Sequence, residues 1–455
     1  MKNTIQSINP YTEEVNAEFE LLDDTQIENK IKIAHEGYQE WKRTPRSEKK
    51  KLFLQLADVI ESDLEAIAKL QTLEMWMLDT ESVWGVKWTV KLIRWFANNF
   101  EEILWEEEFE TEGLKGKYMY DPLGVIFWVA PWNFPYNQVL RAAIPNILAW
   151  NTVIYKHASN VPMCAQKLED LFRQAGFREW IYTNMLVSSS KTEFILSNDY
   201  IAWVNLTGGE GAWKVIWSIA WNNLKPSVLE LGWNDAFIVC DTDNLDEIVE
   251  AWAQARMANG GQKCNSSKRF IVLEKYYDEF CEKFAKKFSE LQAWDPMDHS
   301  TTIPPLAKKW AVKDIENQVS KTVSEWAELL VWGKAMDRKW FFFAPTVLKN
   351  VTADMTSYKE EVFWPVASII KSSSIEESIK IANDSDFWLC GCVYWDNQEQ
   401  LIQVASQVET WMIFINKPAG SKASLPFGGV KKSGYGKENW PDGLKAFTNK
   451  KVVLY

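Results

Sequence analysis

The chain has 455 residues, of which 47% are apolar and 25% are charged, and this composition excludes wholesale disorder. At about 150 residues per domain, the length predicts two to four domains. The formal net charge of −12 argues against non-specific binding to nucleic acid or to an anionic membrane, so neither partner is expected.

Targeting and redox signals point to one compartment. Residues 1–15 lack the apolar core of a signal peptide, and no run of about 18 apolar residues predicts a transmembrane helix. The six scattered cysteines do not resemble a disulfide framework, so a cytoplasmic location is expected. With only three histidines we expect no metal site, and we interpret Cys390 and Cys392 as buried thiols of a strand.

The first half of the chain predicts helices followed by alternating strands and helices. Apolar residues at helical spacing predict two helices, within 25–45 and 47–70. The elements expected after them are strands within 114–130 and over 152–155, 201–206 and 227–231, and helices over 141–148, 160–175 and beyond Gly211. Because strands and helices alternate with short connections, residues 124–232 are expected to form a doubly wound parallel sheet, which is an α/β fold.

The second half repeats this alternation and predicts a second α/β domain. The expected elements are helices over 245–259, 276–291, 375–382 and 397–408, and strands over 268–273, 327–331, 366–370 and 412–416. A last strand is expected over 451–455, outside both domains, where it could pair with another chain.

Three residues have side chains suited to catalysis, but their positions alone do not decide between a catalytic and a structural role. Cys264 follows two glycines in a loop that would let a substrate carbon approach a thiol, but an inert core thiol fits equally well. Glu230 ends an apolar strand, where a carboxylate is either functional or a cap or buried ion-pair partner. Asn133 offers an amide to an oxyanion or is a turn residue.

Seven motifs in a fixed order are far more specific than these single residues. They are Pro-Trp-Asn-Phe-Pro (131–135), Lys-His-Ala-Ser (156–159), Thr-Gly-Gly-Glu (207–210), Leu-Glu-Leu-Gly (229–232), Gly-Gln-Lys-Cys (261–264), Glu-Glu-Val-Phe (360–363) with Pro365, and Pro-Phe-Gly-Gly (426–429). This series resembles the NAD(P)-dependent aldehyde dehydrogenase superfamily along nearly the whole chain. Within it the chain is most similar to the succinate-semialdehyde dehydrogenase branch.

The resemblance implies three structural parts. A Rossmann-type dinucleotide-binding domain is expected over 1–103 and 123–231, and an α/β catalytic domain over 232–430. A small β extension over 104–122 and 431–455 is expected to join subunits into a homodimer or homotetramer.

The resemblance also implies a role for each motif residue. Cys264 would attack the aldehyde carbon, Asn133 and the backbone N–H of Cys264 would hold the oxyanion, and Glu230 would activate the water that hydrolyses the thioester. The residues implied to hold NAD or NADP are Glu361 and Phe363 at the nicotinamide ribose, Lys156 at the adenosine ribose, and Trp132, Gly208 and Gly209 against the pyrophosphate.

Two departures from the family pattern concern this cofactor. Ser159 stands where NAD-preferring members often have Glu, so Ser159 beside Lys156 is expected to tolerate the 2′-phosphate of NADP. Gly209 replaces a Ser that is usual there, which removes one hydroxyl from the pyrophosphate site.

The expected substrate is succinate semialdehyde. Arg141 matches the position of a carboxylate-binding Arg in the semialdehyde branch, and an Arg can hold a carboxylate through two parallel hydrogen bonds. Ser421 could add a hydroxyl. A second Arg found in some members is missing because Ala258 stands there, and Arg256 nearby is a candidate structural residue. A surface or helix-capping Arg141 is the alternative.

The glycine and tryptophan contents are abnormal. The chain has only 20 glycines, below the usual proportion of about 7%, and 26 tryptophans. Trp stands where the family usually has Gly at these positions: Trp76, Trp128, Trp150, Trp180, Trp213, Trp217, Trp221, Trp233, Trp294, Trp326, Trp332, Trp340, Trp364, Trp388 and Trp411. We hypothesise that the source organism reads UGA as glycine, whereas Trp41 and Trp132 are genuine. Literal tryptophans predict strained or swollen packing, at roughly 1–3 kcal/mol per site.

Other functions stay open at this point. An acylating dehydrogenase that passes the thioester to coenzyme A is disfavoured by Glu230, because a positioned base favours water. Another aliphatic or aromatic aldehyde is an alternative substrate. A catalytically inactive scaffold is the alternative from another class, if the tryptophans are real.

Overall fold

The computed structural model describes residues 4–337 and 341–455, with the backbone alone at Glu210; Trp340 lies outside these ranges. The first elements are β1 (Thr4–Ile8), β2 (Val15–Glu20), α1 (Asp24–Trp41), α2 (Arg46–Ser62), α3 (Leu64–Met75) and α4 (Asp79–Ile103). The predicted first helix is α1, which begins at a capping box of Asp23 and Gln26. The second predicted helix is two helices that meet at Asp63, and α4 was not predicted.

A six-stranded sheet forms from the middle of the chain. The elements of this region in chain order, of which β3 and β4 belong to another sheet, are β3 (Glu107–Thr111), β4 (Leu114–Pro122), β5 (Val125–Val129), α5 (Asn137–Leu148), β6 (Thr152–Lys156), α6 (Pro162–Gln174), β7 (Tyr182–Asn184), α7 (Thr192–Leu196), β8 (Ile201–Thr207), α8 (Glu210–Asn222) and β9 (Ser227–Glu230). Strands β5 to β9 pair in parallel in the order β9-β8-β5-β6-β7, which confirms the doubly wound parallel sheet.

A seven-stranded sheet forms from the second half. The elements are β10 (Ala236–Val239), α9 (Leu245–Met257), β11 (Arg269–Leu273), α10 (Glu274–Ser289), α11 (Lys309–Ser324), β12 (Glu328–Val331), β13 (Thr346–Lys349), α12 (Thr356–Lys359), β14 (Val366–Ser372), α13 (Ile375–Asn383), β15 (Phe387–Trp388), β16 (Cys390–Tyr394), α14 (Gln398–Gln407) and β17 (Met412–Ile415). The strand order is β12-β13-β14-β11-β10-β16-β17, with only β12 antiparallel to its neighbour. Cys390 and Cys392 lie buried in β16, as expected for strand thiols.

The three strands among the last elements belong to three different sheets. They are β18 (Val430–Lys431), β19 (Gly434–Tyr435), α15 (Trp440–Ala446) and β20 (Thr448–Leu454). Strand β20 pairs with β4, and β4 pairs with β3, in a separate antiparallel sheet that joins both parts of the expected extension. Strand β19 instead pairs with β9 and so completes the six-stranded sheet, although its residues fall within the range expected for the extension.

Several tryptophans adopt a left-handed backbone conformation, which is unfavourable for residues with a bulky side chain. Five have a positive φ: Trp76 at 62°, Trp150 at 67°, Trp326 at 84°, Trp332 at 57° and Trp440 at 54°. The first four belong to the positions singled out in the sequence, so the expected strain is present there. Trp128 and Trp388 instead lie fully buried within apolar clusters of the two domains.

Candidate active site

The site lies where the parallel strands of the six-stranded sheet end. The carboxyl ends of β5, β6, β8 and β9 meet at one edge, which is the usual ligand-binding edge of a doubly wound sheet. Strand β5 leads to Trp132 and Asn133, and β8 leads to Gly208 and Gly209. Glu230 is the last residue of β9. Sequence motifs that are far apart in the chain therefore share one cleft.

The loop that carries Cys264 has an unusual backbone. Asn259, Gly260 and Gly261 have consecutive positive φ values of 54°, 60° and 77°. A Cβ on Gly261 would lie 2.6 Å from the backbone carbonyl of Trp364, so glycine is required for this close approach. The loop thereby packs against the segment that carries Glu361.

Arg256 ties the same two segments together. Its guanidinium donates to the carbonyls of Gly261 at 3.2 Å and Val362 at 2.8 Å, and also to the carbonyl of Trp364. The side chain is fully buried, and its hydrogen bonds go to backbone carbonyls and to Ser266. Arg256 is therefore structural, as the sequence suggested.

The thiol of Cys264 is half-buried and reaches two cavities. One, of about 320 Å³, contains the motif residues expected to hold the cofactor. The other, of about 110 Å³, contains the residues expected to bind substrate. Burial raises the pKa of Cys264 to about 11, while the cations of Arg141 and Lys268 act in the opposite direction. A base is therefore needed to form the thiolate at neutral pH.

Glu230 lies close enough for its charge to raise the pKa of Cys264, but its buried carboxylate lines neither of the two cavities. Its Oε2 accepts from Arg141 Nη2 at 3.1 Å, and Oε1 has no hydrogen-bond partner among the described residues. Burial and then the charge of Glu438 raise the pKa of Glu230 well above its usual range, although Arg141 and Lys437 oppose them. A carboxyl with a raised pKa is a stronger base once it is ionised.

Asn133 contacts the nucleophile loop directly. Its Nδ2 donates to the carbonyl of Gln262 at 3.1 Å, and its Oδ1 accepts from Gln138 at 3.3 Å. The side-chain amide has a second N–H, and Asn133 lines the larger cavity together with Cys264. The amide is thus oriented by the loop that it is expected to assist.

The larger cavity brings together most of the expected cofactor residues. It is lined by Trp132, Gly208, Gly209, Glu361 and Phe363. A Cβ on Gly209 would meet nothing within 4 Å, so the backbone at the start of α8 is open to an anionic group, and a helix N-terminus favours such a group. The open backbone, the aromatic walls and the Glu361 carboxylate fit a nicotinamide dinucleotide.

Glu361 is held at this cavity by a lysine. Lys268 Nζ lies 3.4 Å from Glu361 Oε1 and also donates to the carbonyl of Cys264. A Cβ on Gly232 would lie 3.0 Å from Glu361 Oε2, so the end of β9 also meets this carboxylate closely. Burial raises the pKa of Glu361, while Lys268 lowers it.

Two expected cofactor residues lie outside the larger cavity. Lys156 ends β6 and is buried, with Nζ 3.4 Å from the carbonyl of His157. Ser159 is exposed in the turn that follows. Both lie beyond the same sheet edge but do not line the cavity that holds Cys264.

The smaller cavity places Arg141 and Ser421 beside Cys264. Arg141 is not free, however, because its Nε donates to Glu438 at 2.5 Å and its Nη2 donates to Glu230 and Gln138. Its guanidinium also lies 4.0 Å from the centre of the Phe427 ring. The alternative of a surface or helix-capping Arg141 is wrong, because the side chain is only 3% exposed and lies in the middle of α5.

Sequence reasoning missed Glu438 and Lys268. Glu438 lies 297 residues from its partner Arg141 and belongs to none of the motifs considered. Its only signal was a carboxylate shortly before a helix. Lys268 lies four residues after Cys264 at the start of a strand, where a buried lysine signals a partner.

Three further observations on the described residues concern metal clusters, disulfides and membrane spans. These residues contain no cluster of His, Cys, Asp and Glu that could hold a metal ion. The six cysteines are free. None of the described helices combines the length and the apolar character needed to cross a membrane.

Comparison with known proteins identifies the family. Residues 1–453 match the aldehyde dehydrogenase family. The chain is 35% identical over 447 residues to the succinate-semialdehyde dehydrogenase (NADP+) of Deinococcus radiodurans, covering 98% of this chain and 94% of that protein. It is 38% identical over 454 residues to the corresponding enzyme of Mycobacterium avium, covering 99% and 96%.

A solved structure extends this similarity to three dimensions. The crystal structure of succinic semialdehyde dehydrogenase from Streptococcus pyogenes, in complex with NADP+ as the cofactor, superposes with a TM-score of 0.97 at 37% identity, covering 99% of each chain. The resemblance of the motifs is thereby confirmed. The chain belongs to the aldehyde dehydrogenase family and is an aldehyde dehydrogenase.

Proposed function

We propose that this aldehyde dehydrogenase oxidises succinate semialdehyde to succinate with NADP+. The main observation in support is the smaller cavity, which is lined by the nucleophile Cys264 together with Arg141 and Ser421. A cation and a hydroxyl beside the thiol suit an aldehyde with a carboxylate at its far end. The named relatives act on this substrate with this cofactor, which supports the proposal.

The first step forms a bond between Cys264 and the aldehyde carbon. Glu230, with its raised pKa, takes the thiol proton directly or through a water, and the thiolate attacks. The carbonyl oxygen becomes an oxyanion, which the Asn133 amide and the backbone N–H of Cys264 stabilise. The positions of Gln138 and Gln262 hold the Asn133 amide for this purpose.

The remaining steps form and hydrolyse a thioester. A bound NADP+ would supply the acceptor for the hydride that leaves the substrate carbon, and Cys264 then carries a thioester. Glu361 and Phe363 would position the nicotinamide side of the cofactor, and Gly208 and Gly209 its pyrophosphate. Glu230 first releases the thiol proton to solvent and then removes a proton from water, which attacks the thioester. The Cys264 thiolate leaves and takes up this proton, and the carboxylic acid is released.

NADP+ is favoured at the adenosine ribose. Lys156 and Ser159 lie beyond the end of β6, and no acidic side chain stands in the Lys-His-Ala-Ser motif to repel a 2′-phosphate. A lysine and a serine are suitable ligands for phosphate. Ser159→Glu is expected to weaken NADP+ far more than NAD+, as measured by titration of each dinucleotide.

Substrate choice is tested by a ratio of specificities. Arg141→Ala should lower kcat/KM for succinate semialdehyde by roughly 10-fold or more relative to butanal, because a hydrogen bond to a charged group contributes about 1.5–3 kcal/mol. Taking the ratio cancels the effect on Glu230, which both substrates share. Equal losses for both aldehydes would show that Arg141 does not bind the substrate carboxylate. A preference for an aromatic aldehyde would show that succinate semialdehyde is not the substrate.

We also propose a homodimer or homotetramer located in the cytoplasm. Strand β20 is the edge of the three-stranded sheet, and Val452 and Leu454 on it are about half exposed. An apolar edge strand of this kind suits pairing with another subunit. Light scattering should give a dimer or tetramer, and Val452→Lys should yield a smaller species. A monomer before substitution would contradict the assembly, and cell fractionation tests the location.

A further inference from the structure

We infer that the working polypeptide carries glycine where the printed chain has tryptophan with a left-handed backbone, because UGA codons there are read as glycine. The conformation is an outlier for a bulky residue, whereas glycine adopts it freely. It occurs at five tryptophans: Trp76, Trp150, Trp326, Trp332 and Trp440. Trp440 was not singled out from the sequence, so the backbone extends the set on its own.

Helix ends within the same chain provide an internal comparison. Helix α6 is followed by Gly176 at φ 89°, whose N–H donates to the carbonyl of Arg173. Helices α5 and α11 are followed at the same position by Trp150 and Trp326, whose N–H groups donate to the carbonyls three residues earlier. Such helix ends favour glycine. One local structure therefore has glycine once and tryptophan twice.

Trp41 is a suitable control, because it is buried and its Nε1–H donates to the carbonyl of Ile147 at 2.9 Å. Indole hydrogen bonds alone do not separate the two groups of tryptophans. Trp150 donates to the carbonyl of Thr44 at 3.0 Å, whereas the buried Nε1–H of Trp76 has no partner among the described residues.

The cofactor cavity shows what the substitution would change. Trp233 and Trp364 both line it, and they belong to the positions singled out in the sequence, although their backbone is not left-handed. Trp364 also stacks on Trp132 at a centroid distance of 6.5 Å. The present volume of about 320 Å³ is near the lower limit for a ligand pocket. Glycine at both positions would remove two indole rings from its walls and make room for a dinucleotide.

The codons and the polypeptide test this inference directly. We expect UGA at positions 76, 150, 326, 332 and 440, and UGG at Trp41 and Trp132. Peptides of the protein isolated from its native host should show glycine masses at the UGA positions. UGG codons or tryptophan masses at positions 150 and 326 would overturn the inference.

Recombinant variants give a readout that does not depend on the host. Trp150→Gly and Trp326→Gly should each raise the midpoint of thermal unfolding, whereas the control Trp41→Gly should lower it. The double variant Trp233→Gly and Trp364→Gly should bind NADP+ more tightly by calorimetry. Lower midpoints in the first two variants, or weaker NADP+ binding in the double variant, would count against glycine at those positions.

A second inference rests on different contacts. The geometry points to Glu81 of α4 as the positioning residue of the Cys264 loop. Its Oε1 and Oε2 both accept from the backbone N–H of Asn259, at 3.0 and 3.1 Å. Helix α4 belongs to the N-terminal part of the chain, so this carboxylate reaches across to the loop that precedes the nucleophile.

The contacts continue from Asn259 to the oxyanion amide. Asn259 Nδ2 donates to the carbonyl of Asn133 at 3.0 Å and to that of Gln262 at 3.2 Å. The Gln262 carbonyl in turn accepts from the Asn133 amide. Since Asn259 is left-handed, the Glu81 carboxylate secures a backbone conformation on which this alignment depends.

The strength of the hydrogen bonds from the Asn259 N–H to the Glu81 carboxylate should depend on pH. Burial raises the pKa of Glu81 to about 7, while the hydrogen bonds from the Asn259 and Leu78 N–H groups and the charge of Lys263 oppose the shift. Lys263 is the charged side chain that faces Glu81 from the loop. Protonation of Glu81 replaces a charged acceptor by a neutral one and so weakens its hydrogen bonds with Asn259.

Glu81→Gln is the test, and Glu102→Gln is the matched control on an exposed position of the same helix. In the parent enzyme and the control, kcat should rise through a limb near pH 7. Glu81→Gln should lose this limb but keep the separate limb of Glu230, and it should reduce kcat several-fold at pH 8 with little change in KM. Glu81→Asp should restore part of the lost limb. An unchanged pH profile in Glu81→Gln would overturn the assignment, even if the variant were less stable.

Discussion

Arg141 Nη2 lies 3.1 Å from Glu230 Oε2, inside the protein and beside the nucleophile Cys264. The same guanidinium is bound to Glu438, so one buried cation faces two carboxylates. Arg141 therefore acts on Glu230, the proposed base, before any substrate is present. The charge balance of these three groups decides the pH at which Glu230 ionises.

Replacement of Glu438 tests this balance. Glu438 raises the pKa of Glu230, so Glu438→Gln should lower it and leave Arg141 paired with Glu230 alone. The acid limb of kcat should move to lower pH, provided that hydrolysis of the thioester limits turnover. The pH dependence of kcat measures the shift, and a limb that stays in place or moves to higher pH would refute the coupling.

The thiol of Cys264 should be unreactive in the free enzyme at neutral pH. Burial raises its pKa to about 11, so alkylation by iodoacetamide should accelerate from pH 7 up to about pH 11. Arg141 lowers this pKa, so Arg141→Met should shift the curve to still higher pH. Peptide mapping identifies the alkylated residue, with Cys264→Ala as the control. A plateau below pH 8 would contradict the expected thiol state.

Asp235 should make the protein less stable as pH rises. Burial raises its pKa to about 7, while the charge of Lys268 and the backbone N–H groups of Leu389 and Cys390 oppose the shift. Its Oδ2 has no hydrogen-bond partner among the described residues. A raised pKa means that its contribution is fully present below the unfolded pKa near 4 and is lost as pH rises through 7. The loss is of the order of 4 kcal/mol for about three pKa units.

The measurement for Asp235 is urea unfolding between pH 4.5 and 8. Asp235→Asn keeps the shape of the side chain and removes the titration, so its free energy of unfolding should vary less across this window. The exposed Asp337→Asn serves as the control. Parent and Asp235→Asn curves that run parallel would show that Asp235 does not titrate there.

The fold and the chemical centre were accessible from the sequence, because both depend on local patterns. Strand β6 and helix α6 follow from a β-branched run and from the Pro162 and Gly176 boundaries. Cys264 and Glu230 stand in short motifs whose order is specific. Helix α4 was not predicted, although its buried apolar residues recur at helical spacing.

The contacts that adjust the chemistry were not accessible in this way. Glu438 meets Arg141 only after the six-stranded sheet and the helix before β20 have come together. Glu81 and Asn259 are 178 residues apart and meet across two parts of the protein. The left-handed backbone at Trp440 could not be predicted from the sequence, since a tryptophan does not indicate a positive φ. Long-range pairs of this kind leave no periodic pattern in a single sequence.

In the proposed reaction Cys264 carries the acyl group, and Glu230 activates the water that hydrolyses it. Glu230→Gln, mixed with succinate semialdehyde and NADP+ and then quenched, tests the claim by mass spectrometry of the Cys264 peptide. We expect a single burst of NADPH, slowed because the base for the thiol is missing, and a succinyl thioester on Cys264 that persists. Steady turnover at the parent rate, or an acyl group on another residue, would contradict it.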